Sequence, residues 1–295
     1  MPELPEVEVI RRGLAAALPG LVISSIEVLE QRSFPGYSDS FAQRLIGSQV
    51  VDVGRRGKLL LIYLRQADLV ETVLMAHLRM TGQLVFRSSE VVDLALAGGY
   101  ANRSLIGDLP DKSTRVVFGF SEGSQLFFND QRKFGYFKLV DACDLDDDDF
   151  LSRLGPEPLA DNFDWKALRL ALAGGTGSIK AALLDQHKIA GIGNIYADES
   201  LFHAGIDPRR TVASLKPVDY KRLCTAICDC LNQSIADGGS TARNYVDSLG
   251  LRGEYLDLHA CVYGREGQPC PKCGRPIIKL RVAGRGTHIC GKCQH

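Results

Sequence analysis

Apolar positions along this chain change their period part-way, and the change divides it in two. Val7, Ile10, Leu14 and Leu18 recur at intervals of three and four, which predicts an N-terminal amphipathic helix with one buried stripe. From 21 to 86 the pattern is that of strands. LVISSIEVLE, SQVVDVGRRGKLLLIYL and ETVLMAHLRMTGQLVF are rich in β-branched and aromatic residues and punctuated by glycine. Residues 88–113 carry polar and glycine signals and predict a long loop or insertion. Strands resume in TRVVFGFS, SQLFFND and FGYFKLV, so residues 1–140 predict a β-sandwich or barrel with a flanking helix. Helical spacing then takes over at 164–172, 178–186, 194–203, 217–237 and 240–247. A composition shift over 141–160, ending LGPEPLADNF, marks a linker between the two parts. The class expected is α+β and multidomain.

Composition narrows the setting more than the chemistry. A chain of 295 residues with 45% hydrophobic content can bury more than one core. No run of eighteen apolar residues appears and the N-terminus lacks a basic-then-apolar signal pattern, so a cytoplasmic protein without a membrane anchor is expected. Lys and Arg (35) balance Asp and Glu (35), which leaves nucleic-acid binding open; distribution says more. Residues 251–295 hold eight Lys/Arg against three Asp/Glu, while acid is concentrated in DACDLDDDD, a run expected to be a solvated linker.

The first eight residues, MPELPEVE, carry candidate chemistry. A small residue after the initiator favours removal of Met1, which would leave Pro2 as a secondary amine. Glu3 and Glu6 share a helix face beside it, and Pro5 is tolerated in a first turn whose N–H groups have no helical partner. An α-amino group titrates near pH ~8, and the positive end of a helix dipole lowers that value. The uncharged amine is a nucleophile of the kind Schiff-base chemistry needs. The same residues also read as an ordinary amphipathic helix with solvated glutamates.

Other candidates stand at turns. Lys58 opens an apolar strand in RRGKLLLIYL, where a charge must face a cleft or solvent, as an edge-strand lysine would also. MAHLRMTGQ places His77 and Met80 just before a Thr-Gly turn. DQRKFGY puts Arg132 and Phe134 together at another, suiting insertion into stacked bases with phosphate contacts alongside. In AGIGNIYADESLFHAGIDP, Asn194 follows glycines at a helix start, an anion site or a tight helix–helix connection; Lys180 follows glycines in GTGSIKAALL.

Nine cysteines in a chain of this kind do not suggest disulfides. Cys224 and Cys228, at i and i+4, read as core packing. Cys270 with Cys273 and Cys290 with Cys293 form two CxxC knuckles sixteen residues apart, the spacing of a closed four-cysteine structural zinc site. Between them PIIKLRVAGRGTHI predicts a β-hairpin with GRGT at its tip, presenting Arg285 to a phosphate or groove.

Taken in order, PELPEVE, RGKLLL, HLRMTG, DQRKFG, LGPEPL, GIGNIYADESLFHAGI, VYGREGQPC and CGKCQ resemble the bacterial formamidopyrimidine-DNA glycosylase family along essentially the whole chain. Gln131 stands where many members carry proline, and 88–113 is longer than the family pattern. The resemblance implies a catalytic β-sandwich domain at 1–140, a linker at 141–160, a helix–two-turn–helix DNA-binding domain at 161–259 and a zinc finger at 260–295. It implies a monomeric glycosylase and abasic-site lyase acting on oxidised purines in double-stranded DNA, with one structural Zn2+. Pro2 would attack C1′ of an extruded nucleotide, Glu3 would move protons, Glu6 would support the site, and Lys58 would lie near lesion and backbone. Met80, Arg132 and Phe134 would fill the gap left by the base; His77, Lys180, Asn194 and Arg285 would contact DNA. Residues 248–255 resemble a lesion-recognition loop. Two alternatives remain: an endonuclease VIII-type enzyme for oxidised pyrimidines, against which PELPEVE and Phe134 speak, and a zinc-finger DNA-binding protein without catalysis, which would need none of Pro2, Glu3 and Lys58.

Overall fold

Leu4–Ala17 forms the first helix, α1, and buries the stripe its spacing predicts, with Val7, Ile10, Leu14 and Leu18 all nearly inaccessible. The computed structural model describes residues 1–66, 69–89, 95–100, 108–241, 245–246 and 251–295. It divides into two units, Met1–Ser152 with Gly238–Gly253, and Arg153–Asp237 with Glu254–His295. Among the described residues no helix is long and apolar enough to cross a membrane.

The first unit is a sandwich of two antiparallel sheets. Its elements in chain order are β1 (Ile23–Val28), α2 (Asp39–Leu45), β2 (Gln49–Arg56), β3 (Leu59–Gln66), β4 (Leu69–His77), β5 (Gly82–Arg87), β6 (Ala95–Tyr100), β7 (Thr114–Phe120), β8 (Gln125–Asp130), β9 (Tyr136–Asp141) and β10 (Tyr245–Val246). One sheet runs β1-β7-β8-β5-β6-β10 and the other β2-β3-β4-β9. Alternation sends Leu60, Ile62 and Leu74 from one sheet and Leu84, Phe118 and Phe128 from the other into a common core with the α1 stripe. Each such side chain contributes about 1.5–3 kcal/mol on burial.

Several expectations are corrected in the folded chain. The region 88–113 is not all loop, since Ala95–Tyr100 is a strand paired to β5 and β10. Its glycines are a packing requirement: a Cβ at Gly98 would lie 2.4 Å from Ile10 Cγ1, so α1 rests directly on β6. The segment 240–247 is not helical where it is described; Tyr245 and Val246 pair with Tyr100 and Gly99, and 242–244 and 247 lie outside the described residues. The acidic run is solvated only in part: Asp144, Asp146, Asp147 and Asp149 are exposed, but the segment is anchored to a sheet. Leu145 within it and Phe150 and Leu151 just after it pack on Leu59, Leu61, Val73 and Met75, while buried Asp148 ion-pairs with Lys138 and accepts the N–H groups of Phe150 and Leu151. Apolar residues in and after the run decide its fate.

The second unit contains α3 (Trp165–Leu172), α4 (Ile179–Leu184), α5 (Asn194–Ala204), α6 (Pro217–Ala236), α7 (Tyr255–His259) and a hairpin of β11 (Ile278–Val282) and β12 (Arg285–Ile289). The element α5 is its centre, with Tyr196, Ala197, Asp198, Glu199, Leu201 and Phe202 wholly enclosed. The hairpin turn falls at Ala283–Gly284, both at positive φ, so Arg285 opens the second strand rather than sitting at the tip.

Candidate active site

The start of α1 is built by its own sequence and closed by a distant one. Glu3 is the N-cap and Pro5 sits in the first turn; Glu6 Oε2 accepts the Glu3 N–H at 2.7 Å in a capping box. Glu6 Oε1 accepts both the N–H (2.9 Å) and the hydroxyl (2.8 Å) of Ser240. Pro2, Glu3 and Glu6 are all buried, whereas Met1 is exposed. Pro2 is thus a buried residue directly preceding the N-cap of α1.

One turn further, Glu8 couples this helix to the sheet. It receives Arg11, Arg12 and, across the fold, Arg55 Nε at 3.0 Å; Arg55 Nη1 in turn holds the Gly57 carbonyl at 3.0 Å. Burial works to raise the Glu8 carboxyl, but the three guanidiniums overcome it and hold it at about 2. Lys58, nearly buried, is the next residue in that clamped turn.

The antiparallel register brings the remaining candidates of this unit to the same end of the sandwich. Leu59 pairs with His77 and His77 with Tyr136, while Gly82 pairs with Asp130, so the turns 78–81 and 131–135 leave the two sheets side by side. Burial, with cationic Arg79 and Lys58 nearby, pushes His77 down to about 3; the ring is neutral. Its Nδ1 accepts the Arg79 N–H at 3.1 Å, which leaves the proton on Nε2 as a donor.

Met80, Arg132 and Phe134 come together as an exposed cluster. Arg132 Nη1 lies 2.9 Å from Met80 Sδ, and its guanidinium stands 4.8 Å from the centroid of the Phe134 ring, which is 53% exposed. A buried carboxylate shapes the turn that holds them. Asp130 accepts the N–H groups of Arg132 (3.0 Å), Phe134 (2.8 Å) and Gly135 (2.7 Å), and the Thr81 hydroxyl from the facing turn. Gly135 is required, because a Cβ there would meet Phe128 Cζ at 2.6 Å. Lys133 adopts a left-handed backbone and ion-pairs with Glu30 at 2.5 Å. An exposed apolar pair bridged by a cation, on rigid turns, is a shape suited to entering a base stack.

In the second unit, Asn194, Lys180 and the Arg285 strand converge on one atom. Asn194 Nδ2 donates to the Gly286 carbonyl at 3.0 Å and Lys180 Nζ to the same oxygen at 3.1 Å. Arg285 is exposed beside it. Lys180 itself is fully enclosed, paired with Asp198 at 2.6 Å and bonded to Thr287 Oγ1 at 2.8 Å. That corrects its reading as a direct phosphate contact: the ammonium is spent on holding β12 against α5. The sulfurs of Cys270, Cys273, Cys290 and Cys293 lie within 4.8 Å of one another, with Cys270 and Cys290 buried among Phe202, Val262 and Ile277. Four thiolate donors in a closed shell fit one structural zinc and leave no open position.

Family models cover most of the chain: the formamidopyrimidine-DNA glycosylase N-terminal domain matches residues 1–137, the H2TH domain of the same enzymes 154–246, and a zinc finger found in FPG and IleRS 267–295. The chain belongs to the formamidopyrimidine-DNA glycosylase family. A family member from Pelotomaculum thermopropionicum is 42% identical over all of this chain and 99% of its own length, and one from Bacillus subtilis is 38% identical over the same shares. Among solved structures, Lactococcus lactis Fpg complexed with abasic-site DNA matches with a TM-score of 0.84 at 33% identity. A mutant of that same protein complexed with Fapy-dG DNA matches with a TM-score of 0.85 at 33% identity; each alignment covers 99% of both chains.

Several residues of this family member's site escape sequence reasoning. Asp130 is legible as an acid at a strand end before a turn, and Glu8 as the i,i+3 and i,i+4 partner of Arg11 and Arg12. Ser240 carries no local signal. Neither do Asp198 and Glu199, whose helix reads as amphipathic only in part. Of the expected lesion-recognition loop, 248–250 lie outside the described residues.

Proposed function

We propose that this chain is a base-excision-repair DNA glycosylase with abasic-site lyase activity, acting on oxidised purines such as 8-oxoguanine and formamidopyrimidines in duplex DNA. Its membership of the family over the full length carries the activity. The observation that supports the site is the placement of buried Pro2 at the head of α1 beside Glu3 and Glu6. In this reading residues 1–140 bear the chemistry, 141–160 link them to the helix–two-turn–helix module at 161–259, and 260–295 form the zinc finger. The protein acts as a monomer in the cytoplasm, where its DNA lies.

With Met1 removed, the Pro2 nitrogen lone pair attacks C1′ of an extruded nucleotide and the C1′–base bond breaks. Glu3 supplies and accepts protons at sugar and base, and Glu6 fixes the backbone from which Glu3 projects. The C1′–O4′ bond of the sugar then opens, with O4′ taking a proton, and the iminium left at C1′ acidifies the C2′ hydrogens, so β- and then δ-elimination release the phosphates on either side. Lys58 and the His77 Nε2–H face the backbone near the lesion. Met80, Arg132 and Phe134 occupy the vacated stack, offsetting an unstacking cost of a few kcal/mol. Asn194 and Arg285 bind phosphates, and Lys180 positions them.

Borohydride trapping on 8-oxoguanine duplex tests this. Mature protein should form a covalent adduct, Met1-retaining protein none, because its Pro2 nitrogen is an amide. Pro2→Gly should trap about tenfold less or worse, since a primary amine is the poorer nucleophile. Undiminished trapping in Pro2→Gly overturns the assignment of the nucleophile, and preference for thymine glycol would move the substrate to oxidised pyrimidines.

A further inference from the structure

Beside the C-terminal half of α5 stands a second group of metal-type side chains, separate from the ribbon cysteines. Glu199, His203 and Cys261 bring one carboxylate oxygen, one imidazole nitrogen and one sulfur within 4.8 Å of one another. His203 Nε2 and Cys261 Sγ are 3.7 Å apart. Two such ligands on a tetrahedral zinc, at about 2.0–2.1 Å and about 2.3 Å from the ion, stand about 3.5 Å from each other. The separation already matches.

The group is held in place before any ion arrives. Glu199 and His203 are i and i+4 on one helix face. Wholly buried Glu199 takes the N–H groups of Val262 (3.0 Å) and Tyr263 (2.7 Å) on Oε1, and that of Cys261 (2.8 Å) on Oε2. The backbone of Cys261 is thereby fixed to the helix that bears the other two donors, and Oε2, which accepts the Cys261 N–H with one lone pair, keeps the second for a cation. An open groove of ≈ 800 Å³ is lined by His203 and Cys261 together with Cys230, Tyr255, Leu258 and His259, which gives an ion a path in and a water room beside it. Lys272, whose Nζ lies 3.5 Å from the His203 carbonyl, opposes a dication and makes this site weaker than the four-thiolate ribbon.

We propose that Glu199, His203 and Cys261 form a second zinc site, with three protein ligands and a fourth position open to the groove. One thiolate, one imidazole and one carboxylate select zinc over magnesium or calcium. Binding would release the Cys261 thiol proton to solvent and cross-link α5 to the segment that leads into Cys270, reinforcing the stem of the ribbon. Neither His203 nor Cys261 has a part in the glycosylase reading, so the two stand or fall separately.

The test uses the full chain with its ribbon zinc retained, titrated with Zn2+ and analysed for bound metal after removal of excess ion. Wild type should hold two equivalents, and His203→Ala and Cys261→Ser one each. Added Zn2+ should raise the melting temperature of wild type and leave both variants unmoved, while all three melt alike at one equivalent. Exposed His203 can be truncated without opening a core, which guards against misfolding as an explanation. Wild type saturating at one equivalent, or a second equivalent that survives both substitutions, would overturn the site.

Discussion

Glu6 and Ser240, 234 positions apart in the chain, are joined by two hydrogen bonds to a single carboxylate oxygen. The other oxygen of Glu6 caps the helix at Glu3, so the start of α1 is held from both sides. Ser240→Ala removes the hydroxyl bond alone and should cost about 1 kcal/mol, whereas Glu6→Gln turns an amide donor toward one of the two N–H groups and should cost about 1–3 kcal/mol. Urea denaturation checks the order; equal stability of the two variants would show that the carboxylate charge is immaterial.

Phe134 is largely exposed yet sits on a turn fixed by three N–H bonds to Asp130. Phe134→Ala should leave stability unchanged and weaken binding to lesion-containing duplex by about tenfold, the loss of roughly 1–3 kcal/mol of base–aromatic stacking. Single-stranded lesion substrate, which needs no wedge, should be affected far less. Equal losses on both substrates would argue that the ring does not enter the stack.

For Lys180, burial makes an unusual forecast. A lysine that touches phosphate would, when removed, lower the salt slope of DNA binding by about one. Lys180→Met instead removes the ammonium from buried Asp198, whose other oxygen keeps the His288 N–H at 2.9 Å, and should destabilise the protein by about 3 kcal/mol. Replacing both members with apolar residues should recover much of that. Normal melting with a reduced salt slope would restore the phosphate-contact role.

Glu8 links stability to acid. Its folded carboxyl sits at about 2, below the usual 4.5 of the unfolded chain, so the contribution is complete above pH 4.5 and is lost as pH falls toward 2. Glu8→Gln should cost about 1–2 kcal/mol at neutral pH after allowance for solvent screening, and nothing near pH 2. Chemical denaturation from pH 7 downward should show the two curves converging; a constant gap would mean that the charge is not the source.

Cys273→Ser opens the four-thiolate shell. The ribbon should lose its zinc, and with β11 and β12 unsupported, the contact between Gly286 and Asn194 should fail and DNA affinity should drop about tenfold or more. Metal analysis with binding isotherms reads both, and unchanged zinc content would refute the ribbon.

The chain's own order of residues determined whatever depends on neighbours: the α1 stripe, the helices of the second unit, the strand-rich first part, the paired cysteines, and a family resemblance carried by short contiguous motifs. These rest on period, caps and ligand spacing, all of which operate within a few residues. Tertiary structure decided what depends on distant partners. Gly98 marks a strand because Ile10 lies upon it, Leu145, Phe150 and Leu151 in and after the acidic run pack because the sheet face beside them is apolar, and Lys180 is a buried strut because Asp198 and Thr287 meet it. Burial and pairing set the role of a charged side chain, and both are properties of the folded neighbourhood that no local spacing encodes.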